Sequence, residues 1–341
     1  MNVSCARVAC RRGDRVTRRI VLLALMLNLA IAGTAAWAQQ TSKVPVLGVL
    51  FFAVGPDDPL VEDLRQGLRE LGYVERRNIR IEFRTAQDHP DRLPDLAEEL
   101  VQLKVDVILV NVTVAAQAAK RATSTIPIVM AAVADPVASG LVASLARPGG
   151  NLTGHSLMLS ELGATRLQLL KETIPRLARV AVLWNPVTPI HHKMIEELKA
   201  VAPSLSIELS FMSARTPEQF GSAFSAVSRA HATALYVLDD PVFYVHRMTL
   251  AKLASKARLP TIYGARDYVD AGGLISYGAD YAHLFRRSAG YIDKILKGAK
   301  PADLPIEQPT KFDLVVNLKT AKALGVVVSE SILVRADKVI Q

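Results

Sequence analysis

The chain has 341 residues, 50% of them hydrophobic, and a formal net charge of +9. Six arginines and one aspartate in residues 1–38 account for +5 of that charge, which leaves +4 for residues 39–341. So small a basic excess argues against a nucleic-acid-binding protein. Both cysteines, Cys5 and Cys10, lie in the first segment, so residues 39–341 offer no disulfide, thiol nucleophile or thiolate metal ligand.

The first predicted element is a secretory signal peptide at residues 1–38. Its arginines form a basic start, and the apolar run at 20–31 (IVLLALMLNLAI) is too short to span a bilayer comfortably. The small residues of AWA, ending at Ala38, form a cleavage site before Gln39. A membrane anchor is the alternative interpretation of this run. We expect a periplasmic product, exported either by the general pathway or by the twin-arginine pathway.

From residue 44 onwards, short apolar runs alternate with amphipathic stretches. The predicted strands are 44–52, 79–83, 106–111, 126–133, 179–185, 206–212, 234–240, 260–263 and 272–278. The predicted helices are 58–73, 91–105, 113–123, 135–146, 166–174, 191–202, 217–230, 244–258 and 280–298. This alternation predicts an α/β fold with parallel sheets covered on both faces. A break at RPGGNLTG, 147–154, predicts two doubly wound lobes.

Ligands of doubly wound sheets bind at the carboxyl ends of the strands. Asp239 and Asp240 end one such strand. They are interpreted as contacts to a ligand ammonium, as the N-cap of the next helix, or as an acid–base pair. Thr113 begins a helix directly after another strand. The N–H groups of that helix would bind an anion, or the threonine would simply cap the helix.

Enzyme signatures are missing from the sequence. It has no phosphate-binding loop, no dinucleotide fingerprint and no H-E-x-x-H zinc motif. GHSLM at 154–158 lacks the second glycine of a nucleophile elbow. His191 and His192 would point about 100° apart on a helix, which indicates a solvated helix start and not a metal site. We therefore expect no catalytic residue, no metal and no cofactor.

Three segments, 132–154, 259–278 and 285–325, resemble ABC-transporter substrate-binding proteins of the tryptophan/tyrosine type, and the likeness extends over essentially all of 39–341. The resemblance implies a type I periplasmic-binding-protein fold with a ligand cleft between two lobes and three chain crossings. The lobes would comprise 39–156 plus 277–306, and 157–276 plus 307–341.

The resemblance also implies a function. The protein would be a monomer that captures a small amino-acid-like solute, with aromatic amino acids among the candidates, and delivers it to an inner-membrane ABC permease. One alternative is a sensory subunit that presents the solute to a signalling receptor. Another is an exported enzyme that uses Asp239 or Asp240.

Strand ends and family position together predict the ligand-binding residues. They are Phe51, Phe52, Asn111, Thr113, Ala132 and Asp135 in the first lobe, Asn185, Asp239 and Tyr263 in the second, and Tyr277, Gly278 and Asp280 at the return crossing. The stretch DYVDAGGLISYGADY, 267–281, is interpreted as a hinge strand in which Tyr277 and Tyr281 face the ligand. Alternatively, these tyrosines pack the lobe interface. We expect Asp239→Ala and Tyr277→Ala each to weaken binding by about tenfold or more without unfolding the protein.

Overall fold

The computed structural model describes residues 43–341. The predicted signal peptide lies outside the described residues and stays a prediction. Within residues 43–341, no helix combines the length and the apolar character needed to cross a membrane. Residues 45–341 form one compact unit that contains two sheets.

The first sheet has five parallel strands in the order β2-β1-β3-β4-β5. They are β1 (Val46–Phe51), β2 (Arg80–Thr85), β3 (Val107–Val110), β4 (Ile128–Val133) and β5 (Leu152–Ser156). The helices among them are α1 (Pro59–Glu70), α2 (Leu93–Gln102) and α3 (Thr113–Ala122). β1, β3 and β4 are buried along their whole length, as expected for parallel strands covered on both faces.

The second sheet has seven strands in the order β12-β11-β10-β9-β8-β6-β7. They are β6 (Arg179–Trp184), β7 (Glu208–Ser213), β8 (Ala234–Val237), β9 (Thr261–Tyr263), β10 (Ile275–Gly278), β11 (Asp313–Asn317) and β12 (Lys338–Ile340). Only the β10–β11 pair is antiparallel among these strands. The predicted parallel α/β architecture is therefore confirmed, with one antiparallel pair added.

Nine further helices follow β5 along the chain. They are α4 (Gly163–Thr173), α5 (Pro189–Val201), α6 (Phe220–Arg229), α7 (Pro241–Val245), α8 (Arg247–Lys256), α9 (Arg266–Asp270), α10 (Tyr281–Leu296), α11 (Leu318–Leu324) and α12 (Glu330–Arg335). Of these, α10 packs on α1, so it belongs with the first sheet.

The chain crosses between the lobes three times. It leaves the first lobe after β5, at Met158, whose φ is 53°. It returns after β10 and leaves again after Glu307, which pairs with β5 through backbone hydrogen bonds. Tyr277 and Gly278 pair with β11 in the second sheet. The second part of the first lobe, predicted as 277–306, was therefore started too early, because the crossing follows Gly278.

The predicted helix at 135–146 is absent. Asp135 Oδ1 accepts from the N–H groups of Val137 and Ala138 at 3.2 and 2.9 Å and holds a turn instead. Gly140 then adopts a φ of 67°, which a right-handed helix cannot contain. Apolar spacing alone suggested a helix there, and these local backbone features override it.

A histidine without its usual partners lies in the first lobe. His155 on β5 is 1% exposed, and its ring meets Tyr291 edge to face at 5.2 Å. Its Nε2 has no hydrogen-bond partner within the described part of the chain. Burial lowers the pKa of His155 to about 4. The charge of Glu307 opposes this shift, whereas Arg287 and His283 add to it.

We expect His155 to make the protein less stable as pH falls from about 6.5 to about 4. In this window the imidazole of the unfolded chain takes up a proton that the buried imidazole does not, so the loss reaches about 3 kcal/mol. Urea unfolding near pH 7 and near pH 4.5 measures the difference in the free energy of unfolding between the two pH values. His155→Gln should flatten the difference, and an unchanged pH dependence in that variant would contradict the assignment.

Candidate ligand site

A cavity of about 610 Å³ lies between the lobes, where the carboxyl ends of strands from both sheets meet. Its first-lobe wall includes Phe52, Asn111, Thr113, Ala132 and Asp135. Its second-lobe wall includes Asn185, Thr188, Lys193, Asp239 and Asp240. Tyr244, Tyr268, Tyr281 and Phe285 add an aromatic wall. The lining is therefore mostly apolar with a few polar groups, as is typical of small-molecule sites.

The first-lobe wall contains a helix N-terminus without a side-chain cap. α3 begins at Thr113, and Val112 at the N-cap position makes no side-chain hydrogen bond. The adjacent Asn111 is held by its Oδ1, which accepts from the N–H of Phe52 at 3.1 Å. The threonine-cap interpretation is therefore wrong. The first-turn N–H groups of α3 remain for an anion, at the positive end of the helix dipole.

Three other helices that begin near the cavity are capped by a side chain. An aspartate side chain accepts from first-turn N–H groups of α1, α7 and α10; these caps are Asp58, Asp240 and Asp280. Such a carboxylate already occupies the position that a ligand anion would take. α5 also begins at the cavity without a side-chain cap, but its first residue, Pro189, has no N–H, and the N–H of His191 donates to the backbone oxygen of Thr188. α3 therefore offers an anionic ligand group more free N–H groups than α5 does.

The two successive aspartates after β8 have different roles. Asp240 Oδ1 accepts from the N–H groups of Val242 and Phe243 at 2.9 and 3.3 Å. Its Oδ2 accepts from Thr188 Oγ1 at 2.6 Å. The capping interpretation therefore holds for Asp240, whereas Asp239 lines the cavity.

Asp239 forms an ion pair with Arg166 of α4, whose side chain is fully buried. Burial acts to lower the pKa of Arg166, but the charge of Asp239 raises it, so the guanidinium stays protonated. Arg166 Nε also donates to the backbone oxygen of Tyr277 at 2.6 Å. One cation thus connects the ends of β8 and β10 behind the cavity wall.

His191 supports the same region from α5. The N–H of Asn185 donates to His191 Nδ1 at 2.9 Å, and Nε2 lies 2.9 Å from the backbone oxygen of Asp239. This arrangement requires the proton on Nε2. The predicted solvated helix start is therefore wrong for His191, which shares a buried helix face with Met194, Ile195 and Leu198. The neighbouring His192 ring contacts Trp184 instead.

The aromatic wall is a set of mutually packed rings. Tyr244 lies 5.7 Å from Tyr281 and 6.2 Å from Tyr268, measured between ring centroids. Burial raises the pKa of all three phenols. Their hydroxyls therefore remain protonated and can donate hydrogen bonds, while the ring faces offer apolar surface.

The structure brings most of the predicted site residues to the cavity. Those that line it are Phe52, Asn111, Thr113, Ala132, Asp135, Asn185 and Asp239. Phe51 does not, because successive residues of a strand point to opposite faces. Its ring is fully buried, 5.5 Å from Phe83 and 5.6 Å from Phe285.

Four other predicted site residues lie outside the lining. Tyr263 is buried behind Tyr268, with the two rings stacked at 4.4 Å. The Tyr277 ring packs on Phe312 at 5.8 Å. Gly278 lies against the backbone of Gly264. Asp280 caps α10, because its Oδ1 accepts from the N–H of His283 at 3.1 Å. Of these four residues, Tyr263 supports the aromatic wall from behind, through Tyr268.

Sequence reasoning did not select several of the residues that build the site. Tyr268 lies within the stretch 267–281, but Tyr277 and Tyr281 were selected there instead. Arg166 and Tyr244 lie inside predicted helices, where nothing local distinguishes them. A buried arginine is detectable only through its partner, which is 73 residues away. Across residues 43–341, no group of His, Cys, Asp or Glu is arranged to hold a metal ion.

Known proteins share this fold and much of the sequence. A family model described as "ABC transporter substrate binding protein" matches residues 52–340. A tyrosine-binding protein from Clostridioides difficile (strain R20291) is 30% identical over 272 residues, which are 79% of this chain and 78% of that protein.

Two solved structures represent different ligand states. The crystal structure of an ABC domain in complex with L-Trp from Streptococcus pneumonia has a TM-score of 0.79 at 28% identity, over 86% of this chain and 100% of that one. A ligand-free, open substrate-binding protein with adhesive properties from Clostridium difficile has a TM-score of 0.65 at 27% identity, over 87% and 100%. With its two α/β lobes of the type I periplasmic-binding-protein fold, the chain belongs to the ABC-transporter substrate-binding proteins, a family of solute-binding proteins that work with ABC permeases.

Proposed function

We propose that the protein binds one free amino acid with an aromatic side chain between its lobes, in the periplasm and as a monomer. It then delivers this amino acid to an inner-membrane permease without chemical change. The observation that carries the proposal is the complementarity of the two walls. The uncapped start of α3, beside Asn111, suits an α-carboxylate, whereas Asp239 on the other wall suits an α-ammonium.

The aromatic wall supports an aromatic side chain on the ligand. Tyr244, Tyr268 and Tyr281 provide ring faces against which an aromatic ligand buries much apolar surface. The relatives point the same way, since one is a tyrosine-binding protein and another is solved with L-Trp. A cavity of about 610 Å³ is within the ordinary range for small ligands.

The lobe arrangement supports capture by closure. At nearly equal identity, the structure agrees better with the L-Trp complex than with the ligand-free open relative. Two contacts join the lobes across the cleft: His246 Nε2 lies 2.9 Å from Asp88 Oδ2, and Lys193 Nζ lies 3.8 Å from Asp135 Oδ2. A ligand that touches both walls favours this closed state through its differential affinity.

The roles of the aspartates support binding without catalysis. An acid–base pair needs groups whose protons are available to the substrate. Asp240 is occupied as a helix cap, and Asp239 is held by Arg166. Neither arrangement leaves a carboxyl poised for proton transfer, so recognition of charge is the role that fits Asp239.

Thermal unfolding of residues 39–341 with each of the twenty amino acids tests the proposal. A ligand that binds only the folded state raises the melting temperature. We expect shifts with L-tryptophan, L-tyrosine or L-phenylalanine, and smaller shifts or none with tryptamine, which lacks the carboxylate, and indole-3-propionate, which lacks the ammonium. No shift with any amino acid would overturn the proposal. Equal shifts with tryptamine and tryptophan would show that the N-terminus of α3 does not bind the α-carboxylate of the ligand.

A pair of tyrosine variants checks the aromatic wall. Tyr281→Ala is expected to weaken binding of the amino acid by about tenfold or more, because it removes a ring that lines the cavity. Tyr277→Ala should change affinity by less than about threefold, since its ring packs on Phe312 and only its backbone contacts Arg166. This revises the sequence-based expectation for Tyr277. Titration calorimetry measures the affinity of both variants for the amino acid. A larger loss of affinity in Tyr277→Ala than in Tyr281→Ala would contradict the assignment of Tyr281 to the ligand-binding wall.

A further inference from the structure

The fully buried guanidinium of Arg166 connects three elements. Arg166 is 0% exposed on α4, its Nη1 forms the ion pair with Asp239 after β8, and its Nε reaches the backbone oxygen of Tyr277 on β10. A charge so completely removed from water is costly unless it is paired and hydrogen-bonded. Arg166 does not line the cavity itself, so any effect on a ligand passes through Asp239.

Two glycines leave room for this arrangement. A Cβ added at Gly264 would lie 1.7 Å from Asp239 Oδ1, so the carboxylate rests directly on the backbone at the end of β9. A Cβ added at Gly278 would lie 1.7 Å from the Gly264 oxygen and 3.3 Å from Arg166 Nη2. The strand ends therefore approach so closely that the carboxylate is confined between Gly264 and the guanidinium.

The surroundings favour a fixed ion pair over a mobile one. The Tyr236 hydroxyl and Arg166 Nη2 are both buried, and the phenol and the guanidinium interact with each other. Burial raises the pKa of Tyr236 to about 12, so its hydroxyl stays neutral. Five titratable groups lie near the Asp239 carboxylate: Arg166 on α4, Tyr236 on β8, Asp240, Tyr268 on α9 and Tyr281 on α10. A sixth, His191 on α5, contacts the backbone oxygen of Asp239. Arg166 is the permanent cation of this set.

The geometry assigns Arg166 the role of a positioning residue that fixes the Asp239 carboxylate, so that the ligand ammonium meets an ion pair already oriented before it arrives. This inference deepens the proposed function and rests on it for the ligand. The guanidinium supplies two things that a point charge cannot supply together: an ion pair to Asp239 and a hydrogen bond to the Tyr277 backbone. The orientation of Asp239 thus depends on one side chain that does not line the cavity.

Two variants distinguish the effect of the Arg166 charge from the effect of its hydrogen-bonding geometry. Arg166→Met removes the cation at similar volume, so the Asp239 carboxylate is left buried without a counter-charge. Breaking a buried pair in this way is expected to lower the melting temperature by on the order of 10 °C near pH 7.5. The loss should be smaller near pH 5, where the stranded carboxylate of this variant takes up a proton. Adding Asp239→Asn should recover most of the loss and remove its pH dependence.

Arg166→Lys keeps the charge but cannot hold Asp239 and the Tyr277 backbone together. Its melting temperature should show no added pH dependence, whereas its affinity for the amino acid that best stabilises the wild type should fall by about tenfold or more. If Arg166 served only to pack the core, Arg166→Lys would not lower the affinity while leaving the pH dependence of the melting temperature unchanged.

Each outcome bears on the assignment. Equal losses for Arg166→Met at both pH values, no recovery by Asp239→Asn, or wild-type affinity in Arg166→Lys would each overturn it. If the wild type binds none of the amino acids, the proposed function fails. The ligand-free stability measurements on the single and double variants then still decide whether Arg166 fixes a charged Asp239.

Discussion

Replacing Gly67 by alanine is expected to destabilise the protein by about 3 kcal/mol and to lower its melting temperature by on the order of 5–10 °C. Gly67 lies where α1 crosses α10. An alanine Cβ there would lie 2.2 Å from the backbone oxygen of Arg286 and 3.0 Å from Ala289 Cβ. A carbonyl within a helix cannot yield alone, so α10 must move as a unit. Because Tyr281 and Phe285 of α10 line the cavity, ligand affinity should fall as well.

Gly290→Ala on α10, the helix that Gly67 contacts, is the matched control. Nothing lies within 4 Å of a Cβ built at Gly290. Alanine also has the higher helix propensity, so this variant is expected to gain about 0.5–1 kcal/mol. Urea unfolding of both variants measures the contrast. Similar stabilities for Gly67→Ala and Gly290→Ala would show that α1 and α10 are not in close contact.

The architecture was predictable because its signals are local. A parallel strand buried on both faces is a short continuous apolar run, as in VILV of β3, and its neighbouring helices show one apolar face. Asp58 followed by Pro59 begins α1 as capping rules predict, with the Asp58 side chain accepting from the Leu60 N–H at 2.9 Å. The helix predicted at 135–146 failed where apolar spacing competed with an aspartate-held turn and a left-handed glycine.

The site was predictable only as far as strand ends reach. Asn111, Thr113 and Asp239 follow strands, and the topology of a doubly wound sheet brings such residues together. Strand ends did not predict which of two adjacent residues, such as Asp239 and Asp240, would line the cavity and which would cap a helix. Asp239 and Asp240 differ in role because Asp240 can bond the first turn of α7, and Arg166 is close enough to neutralise Asp239.

Contacts with distant segments of the chain determine which tyrosines of the stretch 267–281 line the cavity. The stretch 267–281 was correctly recognised as unusual, but each tyrosine's neighbours come from distant segments. Tyr277 meets Phe312, whereas Tyr281 meets Tyr244, and nothing in the sequence of the stretch distinguishes these surroundings. Gly272 adopts a positive φ of 104°, which glycine tolerates. Gly273 is needed for another reason, since a Cβ there would lie 2.5 Å from the Tyr263 ring.

Gly264→Ala is expected to lower the affinity for the amino acid by about a hundredfold or more. The backbone at Gly264 has no positive φ, so alanine is not strained in itself. Its Cβ, however, would lie 1.7 Å from Asp239 Oδ1 and 2.4 Å from Cγ. The carboxylate must leave its position, and the bond to Arg166 leaves with it. Loss of an oriented, charge-assisted contact to the ligand together with a broken buried pair costs about 3 kcal/mol or more.

Gly55→Ala is the control at the cleft edge, since nothing lies within 4 Å of its added Cβ, and it should bind as the wild type does. The decisive comparison is made in the Asp239→Ala background. The carboxylate atoms with which the added methyl group would collide are then absent, so Gly264→Ala should cost little further affinity or stability, and the two changes should be strongly non-additive. Calorimetric titration and thermal unfolding of the wild type, the two single variants and the double variant measure this coupling. Additive losses would mean that Gly264 acts on the cleft by a route other than the Asp239 carboxylate.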